Sequence, residues 1–172
     1  MAPLPSELPP GPVVDTNILF DFLLWRFSTD AGIRLPECLD DTAVAEDSRR
    51  ALHWYLEGAK PDHTSPHVIA EIHGLIKARA KWQEPRLSEF WLYAQTELAR
   101  LRLAEHLIEL VNMNSDDLAR FGPTADSILE LSARTGRAVI TDDGALRGRL
   151  TRGQIPVLSR WEIVAHWQRS GT

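Results

Sequence analysis

Apolar residues along this chain gather into short solid runs and into longer stripes with a helical repeat. The segment PVVDTN, residues 12–17, reads as a short buried strand that ends in polar residues, and ILFDFLLWRF behind it continues as an apolar segment that turns helical. In EDSRRALHWYLEGA, Ala51, Leu52, Tyr55 and Leu56 stand at helical spacing, and Gly58 followed by Pro61 supplies the stop. SPHVIAEIHGLIKARA predicts another helix, entered through Ser65 as N-cap and Pro66 at the first position. A long amphipathic helix is predicted from Leu87 to Leu110, with Leu87, Phe90, Trp91, Ala94, Leu98 and Leu101 along one stripe. TADSILELSARTG is a shorter helix closed by Gly136, RAVIT and IPVLS are buried strands, and a final helix lies around RWEIVAHWQ.

Short strands that are apolar on both faces and alternate with helices imply an α/β fold, a parallel sheet flanked by helices. Ligands of such sheets sit beyond the carboxyl ends of the strands. Asp15 and the adjacent pair Asp142 and Asp143 fall at that edge, from opposite ends of the sequence.

Composition narrows the picture. At 172 residues, 44% of them hydrophobic, the chain suits one compact domain over residues 12–172. Residues 1–11 are expected to form a proline-rich extended leader, and the stretch from Ser28 to Asp47 is an irregular, acid-rich insertion, a surface loop or short helices. The net charge of -5 argues against a chain wrapped passively by nucleic acid, yet Ala145 to Thr172 holds five arginines against the single acid Glu162. Arginine outnumbers lysine sixteen to three, a ratio that suits phosphate binding and that codon bias also produces. The lone cysteine, Cys38, forms no internal disulfide, and no apolar stretch approaches the ~18 residues of a membrane span. A soluble cytoplasmic protein with no membrane partner is expected.

Several acids stand where an acid needs a reason. Val68, Glu71, Ile72 and Leu75 share one helical stripe, which puts Glu71 on the apolar side, where it needs an arginine, a backbone donor or a cation. Asp15, at the end of a strand, either turns the chain into the helix with its side chain or binds a ligand. Asp126, in the first turn of its helix, is stabilised by the helix dipole without further role. Asp143 is an N-cap ahead of GALRGRL, or part of an ordinary Asp-Asp-Gly turn. Each has a structural explanation alone, but none predicts four acids in four elements at one mouth of the sheet. Carboxylates brought that close repel unless cations neutralise them, and oxygen ligands without His or Cys select Mg²⁺ or Mn²⁺. Phosphodiester hydrolysis is the reaction class that follows.

Four segments resemble the PIN-domain nucleases, the family that includes the VapC-like toxins of bacterial toxin–antitoxin pairs, over most of residues 12–160. VVDTNILFDFL resembles the family's opening strand with Asp15 as first acid, and TSPHVIAEIHGLI resembles the second segment with Glu71. GPTADSILELSARTGRAVITDDGAL resembles the third and fourth joined, with Asp126 and a T-x-D element from Thr141 and Asp143. The resemblance implies a three-layer α/β/α sandwich on a central parallel sheet and Mg²⁺- or Mn²⁺-dependent cleavage of RNA. It implies that Asp15, Glu71, Asp126 and Asp143 are the catalytic, metal-binding acids, and that Thr16, Asn17 and Thr141 orient them. Asp142 takes the variable position of T-x-D, and a one-position slip exchanges it with Asp143 as ligand. A homodimer, and for a toxin an antitoxin protein, follow from the same resemblance. The 56 residues from Asp15 to Glu71 exceed the usual spacing of the compact toxins, and the surplus falls in the acidic segment.

Arg147, Arg149 and Arg152 either meet phosphates of the bound RNA or form a solvated helix face. The rival from another class is a PIN-like binding module that acts through protein partners with weak or no catalysis. A zinc site built on His63, His67 and His73 matches no ligand spacing.

Overall fold

The structure is a computed structural model and describes residues 8–39, 42–59, 63–108 and 114–171. Five two-residue strands, β1 (Val13–Val14), β2 (His63–Thr64), β3 (Ala104–Glu105), β4 (Val139–Ile140) and β5 (Val157–Leu158), make one sheet in the order β3-β2-β1-β4-β5. Every neighbouring pair is parallel, with Val13 opposite both His63 and Val139. The helices are α1 (Thr16–Asp30), α2 (Ala43–Ala59), α3 (Pro66–Leu75), α4 (Arg86–Arg100), α5 (Ser115–Thr135), α6 (Gly144–Arg152) and α7 (Arg160–Arg169).

From β1 the chain steps outward through β2 to β3, then returns to build β4 and β5 on the other side, so the strand order reverses between β1 and β4. Right-handed crossovers send the connecting helices of the two halves to opposite faces. The packing agrees: α5 lies on β1 and β2 and α6 on β5, while α1 is enclosed by α2, α3 and α4, and α7 covers α2. The arrangement is an α/β fold consistent with three layers.

Local sequence explains these elements. Val13, Val14, Val139 and Ile140 are fully buried, as strands of a parallel sheet covered on both sides must be. In α1, Ile18, Leu19, Phe20, Phe22, Leu23, Leu24, Trp25 and Phe27 are buried all around the helix, which makes it an interior element rather than an amphipathic one. Ser65 caps α3 by accepting from Val68 N, with Pro66 in the first turn, and Gly136 closes α5 at φ 67°. At α7, Ser159 and Glu162 form a reciprocal capping box.

Some expectations change. The helix predicted to Leu110 stops at Arg100, and Arg102 at φ 58° turns the chain into β3; Leu110 itself, like Pro61, lies outside the described residues. The helix holding Asp126 begins at Ser115 and is broken at Gly122 (φ 80°, ψ 172°), where Pro123 restarts it. Order begins before Pro12: Leu8 is buried, Tyr55 Oη donates to Pro9 O at 2.6 Å and Gly11 N to Ala59 O at 2.9 Å. Residues 1–7 of the expected leader lie outside the described residues. In the acid-rich stretch from Ser28 to Asp47, expected as a surface loop or short helices, the ends are helical, since α1 runs to Asp30 and α2 begins at Ala43; residues 40–41 are not described. Among the described residues no helix is long and apolar enough to cross a membrane.

Candidate functional site

In a parallel sheet whose order reverses, the two strands at the reversal diverge on either side of a crevice outside their carboxyl ends. Asp15 leaves β1 there and Thr141 to Asp143 leave β4. Asp15 N still donates to Ile140 O at 3.0 Å, so the ladder itself fixes the aspartate beside β4.

Two buried threonines join two carboxylates and the backbone amide of a third acid. Thr141 Oγ1 donates to Asp15 Oδ2 at 2.7 Å and accepts from Asp143 N at 3.0 Å. Thr16 N donates to Asp15 Oδ1 at 2.7 Å, while Thr16 Oγ1 donates to Glu71 Oε2 at 2.9 Å. Asp143 caps α6 through Leu146 N, 2.8 Å from Oδ1. A continuous chain therefore runs Glu71, Thr16, Asp15, Thr141, Asp143. Burial pushes the Asp15 carboxyl above its ordinary value; the hydrogen bonds from Thr141 and Thr16 oppose this, and the charges of Glu71 and Asp143 add to it.

Glu71 departs from its predicted place. Val68, Ile72 and Ile76 form the buried stripe of the α3 region, and Glu71 is exposed at its rim, reaching the site through Thr16. The spacing was helical, but at i+3 from Val68 the side chain lies one edge away from the i+4 row that enters the core.

Asp126 is buried in the restarted half of α5, next to Ser127, whose hydroxyl shares a 2.8 Å hydrogen bond with Ser65 at the end of β2. Its Oδ2 is buried with no hydrogen-bond partner among the described residues. Burial raises its pKa, with the charge of Asp117 acting in the same direction. Its strongest charged neighbours are thus Asp117, Glu130 and Arg149 rather than the threonine-linked group.

Asp142 and Asp143 have different neighbours. Asp142 turns away: Arg160 N donates to its Oδ1 and Arg160 Nε to its Oδ2, both at 3.0 Å. Asp143 is the member that acts on Asp15.

Among the three arginines expected to meet phosphates, Arg149 is committed elsewhere. Its Nε and Nη2 fork onto Asp117 at 2.7 to 3.0 Å, a pairing that holds the Asp117 carboxyl below its ordinary value. Arg147 Nη2 lies 3.7 Å from Glu162, and Arg152 is exposed with no ion pair among the described residues. Asn17 is exposed and makes no hydrogen bond to the carboxylates; it lines a neighbouring cavity.

Sequence reasoning passed over Asp21, which lies inside the apolar run of α1. It is buried, accepts from Arg49 Nε at 3.0 Å and is paired with Arg160 Nη1. The signal was present in one acid amid ILFDFLLW, a segment too apolar to tolerate a charge without partners. His63 pairs with His106, its Nδ1 2.8 Å from Nε2, and His73 stacks on Trp91, so two of the three histidines considered for zinc face different neighbours. No family model matches the chain, nor does any curated protein or solved structure.

Proposed function

We propose that this chain is a metal-dependent endoribonuclease of the PIN type, with Asp15, Glu71, Asp126 and Asp143 holding Mg²⁺ or Mn²⁺. One observation carries the reading: the acids near the crevice divide into two electrostatic kinds. Asp21, Asp117 and Asp142 each have an arginine. Asp15, Glu71, Asp126 and Asp143 make no ion pair among the described residues, and the partners of Asp15, Glu71 and Asp143 are neutral hydroxyls and amides.

The donor set fits a hard cation. It consists of carboxylates alone, and Asp126 holds a buried oxygen, Oδ2, that has no hydrogen-bond partner among the described residues. As the side chains stand, no three of the His, Cys, Asp and Glu groups among the described residues converge on one point. Glu71 and Asp143 are exposed, and each is held through a single carboxylate oxygen, so side-chain rotation is the adjustment open to them. When bound, the ion offsets the charge of the scissile phosphodiester and makes water acidic enough to attack it. Thr16 and Thr141 keep the carboxylates oriented.

The test is incubation of the native chain with a panel of single-stranded RNAs. Cleavage with Mg²⁺ or Mn²⁺ that disappears in EDTA and in Asp143→Asn supports the reading. A folded chain that cuts nothing, or cuts equally well in EDTA, overturns it. The unconverged acids favour the second reading, a PIN-like module without catalysis, and that reading predicts the negative result. Thr141→Val removes a hydroxyl that serves two acids at once, and we expect Mn²⁺ affinity in titration calorimetry to fall by about 10–100-fold.

A further inference from the structure

Beside the carboxylates lies a cavity of about 390 Å³. Two of its lining residues, Asn17 and Asp142, are the chain neighbours of Thr16 and Asp143. Part of the lining is electrostatically closed: Asp21 and Asp142 are balanced by Arg49 and Arg160. Other polar groups are unspent. The Asn17 amide, the Ser48 hydroxyl and the Arg79 guanidinium all line the cavity and have no hydrogen-bond partner among the described residues. Buried Phe20 supplies apolar lining, and on α7 Trp161 also lines it while 66% exposed.

We propose that this cavity is the subsite for the nucleobase adjoining the scissile phosphodiester of single-stranded RNA. Trp161 is the stacking surface, Asn17 and Ser48 meet the base edge, and Arg79 meets the phosphate. The proposal rests on the nuclease reading of the neighbouring acids and adds to it a substrate class and specificity residues. Three observations support it. The volume falls in the range of small-ligand sites, roughly 300–1,000 Å³. Among the described lining residues, with two carboxylates cancelled by two guanidiniums, the net charge left is that of Arg79, which suits a polyanion. An exposed indole beside unsatisfied donors and acceptors matches how unpaired bases are read, by stacking and by hydrogen bonds to their edges. A base held within a duplex has no free face for Trp161.

The test uses the full chain in two assays. In EDTA, binding of a labelled mixed-sequence single-stranded RNA is followed by anisotropy; with Mn²⁺, cut sites in a randomised RNA pool are sequenced. Trp161→Ala is expected to weaken binding about tenfold, and Trp161→Phe to recover most of it. Trp161→Ala and Ser48→Ala are expected to flatten the nucleotide preference beside the cut. If native RNA cleavage is observed and these variants bind and cut with native preference, the subsite is overturned while the nuclease reading stands. If Trp161→Ala weakens binding of fully double-stranded RNA equally, base stacking is overturned. If the native chain cuts no RNA, the nuclease reading falls and the subsite with it.

Discussion

We expect the Asp15→Asn chain to lose RNA cleavage by roughly a thousandfold, the equivalent of the several kcal/mol a metal ligand contributes at the transition state. The same substitution is expected to raise the melting temperature in EDTA. Asparagine keeps an oxygen for the Thr141 hydroxyl or the Thr16 amide, and removes a charge that is buried and faces Glu71 and Asp143. The pH dependence has a definite sign. The folded chain holds the Asp15 proton more tightly than the unfolded chain, so this group favours folding at low pH, and the benefit is lost as pH rises through its folded-state value. Metal-free melting temperatures should therefore fall less steeply with rising pH in Asp15→Asn than in the native chain. Opposite signs in the two assays are the mark of a residue kept for chemistry at the expense of the fold. A substitution that lowers both would show Asp15 to be a helix cap and nothing more.

Asp21→Ala should be the most destabilising single change near the site. Its carboxylate is the acceptor for Arg49 Nε, and the Arg49 side chain is only 3% exposed. Removing one member of a buried pair strands the other charge, at about 3–5 kcal/mol. The result should lie toward the lower end, since Arg160 keeps Asp142. For a chain of this length that corresponds to a fall in melting temperature of roughly 10 °C. Calorimetry reads it directly, and Asp21→Asn, which retains an acceptor, should recover part of the loss. A change under about 1 kcal/mol would mean that Arg49 finds water or another acceptor.

Much of the sheet edge was legible because it is written in contiguous residues. A β-branched pair followed by Asp-Thr-Asn is a strand, a turn and a helix start in five residues, and the structure places Asp15 and Thr16 accordingly. The Ser-Pro start of α3 and the Gly136 stop of α5 are equally local. What stayed hidden depends on partners distant in sequence. β2 and β3 are two residues each, and His63 and Glu105 carry no strand signature; they are strands because β1 offers an edge to β2, and β2 to β3. The commitment of Arg149 to Asp117 spans 32 positions and the Asp21–Arg160 pair spans 139, so periodicity could not reveal either. Asp142 and Asp143 are indistinguishable as letters; Arg160 at the start of α7 separates them.

The threonine-linked chain has a consequence for the backbone. The amides of Thr16, Asp143 and Leu146 find their acceptors on side chains, not on carbonyls. Opening such a bond takes a single rotamer flip, whereas opening a ladder or helix bond takes local unfolding. Deuterium uptake at these three positions is therefore gated by where the Asp15, Thr141 and Asp143 side chains point. The fold carries its own reporters of carboxylate orientation, legible to any method that times amide exchange residue by residue.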